Sequence, residues 1–322
     1  MFQTISTKQA TPSAFCMLKN PGGLATLPLV TSLSLEMHLL PPPVRTSFNQ
    51  WRASNPGREL LYYSDATMRD YVLAKCEAIG PPTCRVEAFA LLQSGAARAD
   101  FFRMVRLACD GGIWFDADMA PSNMSRCMRT PSAKQQTRKM PRMPYSATFF
   151  RFANTVYPRY DLMAANPGHP IIRATLRQIC EKVLALNASG LNGTGLVRLQ
   201  PSSSRLMGIT GPHVLQCVIC NHSLDTAGRP FVKRSKSLCS YGHGNTASGR
   251  HLEGNLHGSS RFGDFKGALR VGSGVVDGVE PKASFLFTAC PAVKQINFLK
   301  SKIWRGLHLA NWRHVNGGLR RQ

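Results

Sequence analysis

Acidic residues are scarce in this chain. Its 322 residues include 17 Asp and Glu against 40 Lys and Arg, which gives a formal net charge of +23. Such a surface excludes indifference to polyanions. It predicts attraction to phosphorylated substrates, nucleic acid or anionic lipid head groups without choosing among them. The scarcity is greatest from Met119 to Tyr160, where no acid occurs while Arg126, Arg129, Lys134, Arg138, Lys139 and Arg142 all do. A solvated loop is the plain reading of that stretch, and a phosphate-facing or membrane-facing patch is the other. Long apolar runs are missing too. The nearest candidate, Leu24 to Leu35, is interrupted by Pro28 and falls short of the roughly 20 residues a bilayer needs. No transmembrane helix is expected, and no internal repeat is visible, which excludes a solenoid. The apolar fraction of 43% and charged fraction of 18% exclude wholesale disorder, and the length suits one large domain or two small ones.

Regular cysteine spacing is absent as well. Ten cysteines at irregular intervals, without a convincing signal peptide, predict reduced thiols in a cytosol-like compartment. The expected location is cytoplasmic with peripheral contact to an anionic membrane. A Golgi location would require an anchor not seen in this sequence. Residues 1–40 read as a poorly ordered, Ser- and Thr-rich extension that ends where Pro41-Pro42-Pro43 breaks regular structure.

What is present alternates between helix and strand. Phe48 to Trp51 reads as a short helix stopped by Asn55-Pro56-Gly57. Leu60 to Tyr63 is a buried strand closing at Ser64-Asp65, and Thr67 to Ile79 a helix stopped by Gly80-Pro81-Pro82. Arg85–Leu92 and Ala96–Cys109 both have helical spacing. In the second, Ala97, Phe101, Met104, Val105 and Ala108 form an apolar stripe. Asp110-Gly111-Gly112 ends that helix, and Ile113-Trp114-Phe115 makes a strand running into Asp116-Ala117-Asp118. Beyond it, Ala147–Phe152 reads as a strand, and Pro170 opens a helix over Ile171–Leu186. Val214–Ile219 is an apolar helix and Ser284–Thr288 a late strand. The implied organisation is a core over 41–221 and a partly irregular region over 222–322 on the acceptor side.

Two aspartates one residue apart at a strand end can aim hard oxygen ligands at a divalent cation whose open positions take a diphosphate. Alone, that pair is common in surface turns. Here it closes the block from Ala96 to Asp118: small residues, Asp100-x-x-Arg103 on a helix, Gly111-Gly112, an apolar strand, then Asp-x-Asp. This block resembles the glycosyltransferases with a DXD sugar-binding region, family 32, which include Golgi mannosyltransferases and bacterial capsule or lipopolysaccharide enzymes. The donor-binding core of bacterial glucosylating toxins is similar. Trp51, Asn55-Pro56, Tyr62-Tyr63 and Asp65 upstream, with Asn166-Pro-Gly-His-Pro170 and Thr210-Gly-Pro212 downstream, extend the resemblance over roughly Pro43 to Leu215.

The resemblance implies a GT-A fold, a Rossmann-like α/β/α sandwich with one nucleotide-sugar site at the strand C-terminal ends. It implies a hexosyltransferase that retains anomeric configuration. Asp116 and Asp118 would hold Mn2+ or Mg2+, and the donor would be GDP-mannose or a UDP-hexose. The acceptor would be a glycan or lipid-linked sugar, and no nucleic acid is expected. Asp100, Arg103 and Asp118 are the candidate catalytic residues. Asp65, Arg98, Asp100, Arg103 and Asp116 are the candidate donor contacts. Asp100 and Arg103 share a helix face, so an intrahelical ion pair is an alternative role for them. Asp65 reads equally as a turn or cap residue. His308 is the candidate late metal ligand, with Trp312 and His314 beside it. The family pattern is hard to trace between Asn221 and Pro281. This leaves open a protein that keeps the fold and binds without turnover. Cys217-x-x-Cys220 followed by Cys239 and His243 has zinc-like spacing, and would suit a small nucleic-acid-binding module. Its first two cysteines, however, sit in an apolar helical run.

Overall fold

The computed structural model describes residues 27–33, 35–92, 94–119, 147–151, 158–188, 208–225, 270–276 and 279–289. Most of the basic stretch after Met119, and the residues Cys239, His243, His308, Trp312 and His314, lie outside the described residues.

The chain opens with β1 (Leu29–Ser32) and a 3-10 turn at Met37–Leu39. Both fall inside the stretch expected to be an unordered extension. The strand was hidden because Pro28 and the surrounding Ser and Thr read as leader composition, whereas Leu29-Val30-Thr31-Ser32 is buried on both faces.

Helix α1 (Pro42–Ser54) also starts earlier than expected. Pro41 is its N-cap and Pro42 and Pro43 its first residues, positions where a missing N–H costs nothing. The prolines begin a helix here instead of breaking one. Its buried residues Val44, Ser47, Phe48 and Trp51 repeat at three and four, the signature of one packed face. β2 (Leu60–Tyr63) and α2 (Asp65–Ile79) follow as expected, with Ser64 and Thr67 forming a capping box at the junction. Next come α3 (Val86–Leu91), α4 (Gly95–Cys109) and β3 (Gly112–Phe115). Cys76 and Cys84 are joined as a disulfide that ties the end of α2 to the start of α3, and Cys109 is disulfide-bonded too. The expectation of reduced thiols fails at these three. Spacing alone could not reveal the pairing, because a turn brings Cys76 and Cys84 together.

After β4 (Ala147–Arg151), β5 (Pro158–Ala165) runs back beside β3, followed by α5 (Pro170–Ala188) and α6 (Pro212–His222). β5 has no counterpart among the sequence expectations. It is nearly continuously buried, so the alternation that marks a half-exposed strand is missing. β6 (Ser223–Asp225), β7 (Arg270–Val276) and β8 (Val279–Ala289) complete one eight-stranded sheet in the order β2-β1-β3-β5-β4-β8-β7-β6. The sheet is mixed: β2, β1 and β3 are mutually parallel, β3, β5 and β4 antiparallel, and β4 and β8 parallel again.

Side chains alternate across the strands and build a core on each face. Val30, Trp114, Phe149 and Met163 pack with α2 to α6 on one side. Leu29, Ile113, Phe115 and Leu162 pack with α1 on the other. The result is the expected three-layer α/β/α class. At the α4–β3 junction Gly111 adopts φ +67°, and an added Cβ would sit 2.7 Å from the Ala165 carbonyl and 2.7 Å from Pro167 Cδ. The Asn166–Pro170 turn is seated there, and Gly168 N–H donates to the Ala108 carbonyl at 2.8 Å.

Gly111→Ala therefore adds a backbone clash to left-handed strain, and should destabilise by about 3 kcal/mol or more. Gly57→Ala, at φ +80° with open space around it, should cost only about 1 kcal/mol. Chemical denaturation of the two variants checks this, and equal losses would contradict the packing role.

Candidate active site

The chain crosses from β1 through α1 to β2 on one face of the sheet. It then returns through α2, α3 and α4 on the other face to β3, on the far side of β1. The direction of winding reverses at β1, and in open α/β sheets such a reversal is where a ligand crevice forms, here at the carboxyl ends of β1 and β3. Asp116 is the first residue past β3 and lies at that crevice. Its N–H donates to the Asp161 carbonyl of β5 at 2.9 Å, and Met119 N–H closes a turn onto its carbonyl at 2.9 Å. Asp118 lies inside the turn, half-buried. Continuing the Val30–Trp114 register by two residues sets Ser32 level with Asp116. Ser32 Oγ is buried and meets no partner among the described residues, so a hydroxyl with spare bonding capacity lies level with Asp116.

The Asp116 side chain is fixed from behind. Arg103 Nη2 and Trp114 Nε1 both donate to its Oδ1, each at 2.7 Å. The Arg103 guanidinium is itself layered between two rings, 4.8 Å from the Trp114 centre and 4.4 Å from that of Tyr160. It donates to the Tyr160 carbonyl and faces Asp100 Oδ1 at 3.4 Å. Thr210 Oγ1 donates to Asp100 Oδ2 at 3.2 Å, and Tyr160 OH donates to the Thr210 carbonyl at 2.9 Å. The Thr210-Gly-Pro212 segment that opens α6 is thereby bonded to α4 and β5 around one cation.

Electrostatically the shell opposes ionisation of its own carboxylates. Burial pushes Asp100 up to about 7 against the counteracting Arg103 charge, with Asp116 adding to the rise. Asp116 is raised in the same way, chiefly by burial and further by Asp118 and Asp161, while Arg103 pulls it down. A divalent ion would reverse that balance by favouring the charged forms. The donor set fits such an ion. Asp116 Oδ1 is spent on Arg103 and Trp114, and Oδ2 takes no donor among the described residues. Among those residues no group of three or more His, Cys, Asp and Glu could hold a metal by itself. Two carboxylates with substrate phosphates completing the sphere is the usual arrangement for Mg2+-like ions.

The structure brings Asp100, Arg103, Asp116 and Asp118 together and leaves two expected donor contacts apart. Arg98 Nε donates to the Leu92 carbonyl at 2.6 Å, with its guanidinium 5.9 Å from the Phe89 ring. It serves the end of α3. Asp65 is the first residue of α2, after the Ser64 cap. It lies at the same sheet edge but two strand spacings from β3, roughly 10 Å. Sequence reasoning missed Trp114 and Tyr160 as functional residues. Both were read as strand and boundary residues, although an aromatic two positions before the first Asp was a usable signal. It also missed Asp161, held by Arg159 through paired bonds of 2.9 and 2.7 Å.

Residues 41–139 match the family described as "Glycosyltransferase sugar-binding region containing DXD motif". This bears out the resemblance read from the block ending at Asp118 and supports glycosyl transfer as the class of reaction. With that match, the α/β/α layering is the GT-A fold the resemblance implied. No curated protein matches the chain. Among solved structures the PaToxG Glycosyltransferase is similar at 13% identity, over 60% of this chain and 68% of its own, with a TM-score of 0.34.

The Asp100 shift has a definite sign. In the unfolded chain this carboxyl ionises near its ordinary value of 3.8, whereas in the fold it keeps its proton until about 7. The native state therefore binds more protons between those values and loses stability as pH rises through them. The melting temperature of the wild type minus that of Asp100→Asn should fall as pH is raised from about 4 and level off above about 7. A difference independent of pH would show that Asp100 is not held in this way.

Proposed function

We propose that this protein transfers a hexose from a nucleoside-diphosphate sugar, GDP-mannose or a UDP-hexose, to a glycan or lipid-linked acceptor. In this reading it acts as a retaining enzyme of family 32 with Mn2+ or Mg2+ at Asp116 and Asp118. The observation that carries the reading is the Asp116–Asp118 turn at the reversal point of the sheet, with Asp116 Oδ1 locked by Arg103 and Trp114 and Oδ2 taking no donor among the described residues. When bound, the ion neutralises charge developing on the departing diphosphate. The protein's own share is orientation. Arg103 and Trp114 fix one oxygen of Asp116 so that the other can face a ligand without further ordering. Ser32, level with Asp116 and without a partner among the described residues, is suited to a donor hydroxyl or phosphate oxygen in the crevice.

Retention needs either a carboxylate nucleophile or a front-face route. Among the described residues, the carboxylates around Asp116 apart from Asp118 are engaged, Asp161 by Arg159 and Asp100 by Thr210 and Arg103. That supports the front-face route, in which the departing phosphate oxygen accepts the proton of the incoming hydroxyl while the C–O bond to the diphosphate breaks. The net positive charge of the chain would favour the approach of an anionic donor or of an acceptor at an anionic membrane surface.

Release of nucleotide from a panel of GDP- and UDP-sugars with Mn2+ tests the reading. One donor should be turned over by the wild type, and Asp118→Ala should lose about 100-fold or more in rate. Equal rates for the two proteins on every donor would remove the transferase reading.

A further inference from the structure

The turn that holds Asp118 has a second anchor outside the Asp-x-Asp motif. The Met119 carbonyl accepts Trp51 Nε1–H at 3.1 Å and Ser47 Oγ–H at 3.3 Å, both from α1. All three residues are buried: Trp51 and Met119 are 0% exposed and Ser47 2%. The indole is in turn stacked on Phe115 with ring centres 4.4 Å apart, and Arg159 Nη2 reaches Met119 Sδ at 3.4 Å. Asp118 therefore hangs between two fixed points. One is Asp116, pinned through its N–H to β5 and through its side chain to Arg103. The other is Met119, pinned to α1. A backbone rotation of about 20° at Asp118 would swing its carboxylate by roughly 1 Å, several times the ~0.2 Å tolerance of a metal–oxygen distance.

We propose that Trp51 and Ser47 are positioning residues for the metal turn, setting the orientation of Asp118 through the Met119 carbonyl. Neither need touch substrate or ion. They act as the outer partners that conventionally orient metal ligands, with the difference that they grip the backbone next to the ligand instead of its side chain. The inference rests on the metal reading of Asp116 and Asp118 given above.

The test is Mn2+ binding to the full chain, read by electron paramagnetic resonance of free Mn2+, for wild type, Trp51→Phe, Ser47→Ala and Val44→Ala. Trp51→Phe keeps an aromatic ring to stack on Phe115 and removes the N–H together with part of the indole volume, a packing loss that the Val44→Ala control is there to match. Val44 is a core residue of the same helix, 1% exposed, and serves as a control for general loosening. The expected result is a Kd about tenfold weaker for Trp51→Phe, a smaller loss for Ser47→Ala and wild-type affinity for Val44→Ala. Unchanged Mn2+ affinity in both Trp51→Phe and Ser47→Ala overturns the proposal. So does a loss in Val44→Ala equal to theirs, since that would mark a loosened helix. If Trp51→Phe does not fold, Ser47→Ala against Val44→Ala decides. If the wild type binds no Mn2+ although Gly57→Ala and wild type are both folded, the metal reading itself fails and this inference falls with it.

Discussion

Arg103 is the interaction on which the site depends. A buried guanidinium is tolerated only when its charge is met. Here two carboxylates meet the charge, two aromatic rings lie against the group, and a strand carbonyl takes a further donor, while Nε finds no partner among the described residues. Those partners come from three parts of the chain: Asp100 from the same helix, Trp114 from β3 with Asp116 just past its end, and Tyr160 from β5. One cation thus holds α4, β3 and β5 in register at the sheet edge. Removing it would leave two carboxylates in a shell that already resists their ionisation, a loss of about 3–5 kcal/mol by analogy with broken buried pairs.

Helix α4 divides its labour along its length. Arg103 faces the site, and Arg106, one turn later, faces the opposite end of β3. There it donates to the Gly111 carbonyl at 2.6 Å and pairs with Asp110, which also accepts Tyr71 OH at 2.6 Å and Lys75 Nζ at 3.4 Å. The two clusters use the same chemistry for different ends. The Asp110 cluster closes the helix and locks the turn into β3. The Asp116 cluster stops one oxygen short of satisfaction and so leaves room for a ligand.

The sequence made the α4–β3 unit readable because its signals agree at every level. An apolar stripe of helical period, a glycine pair and an uninterrupted apolar triplet point to helix, turn and strand, and Asp100, Arg103, Asp116 and Asp118 do converge. What could not be read depends on long-range contacts. β1 and β5 are buried on both faces and lack alternation. The prolines of α1 carry opposite meanings inside a helix and at its start, and only the fold decides between them. Arg98 carried the right residue type in the right block, yet its side chain turns to α3. Trp51 was recognised as part of a pattern, but its hydrogen bond to a residue 68 positions away leaves no local trace.

The placement of β1 has a consequence in time as well as in space. β1 is the earliest of the described strands, yet it lies inside the sheet, between β2 and β3. Its second neighbour is synthesised more than eighty residues later, after four α-helices have emerged. Pairings of such long separation are slow to form, and until β3 arrives one edge of β1 stays open to any strand that can pair with it. The ligand crevice lies along that same seam. The pairing of β1 with β3 is therefore the one that creates the site, and a chain arrested before β3 would expose β1 before it could bind anything.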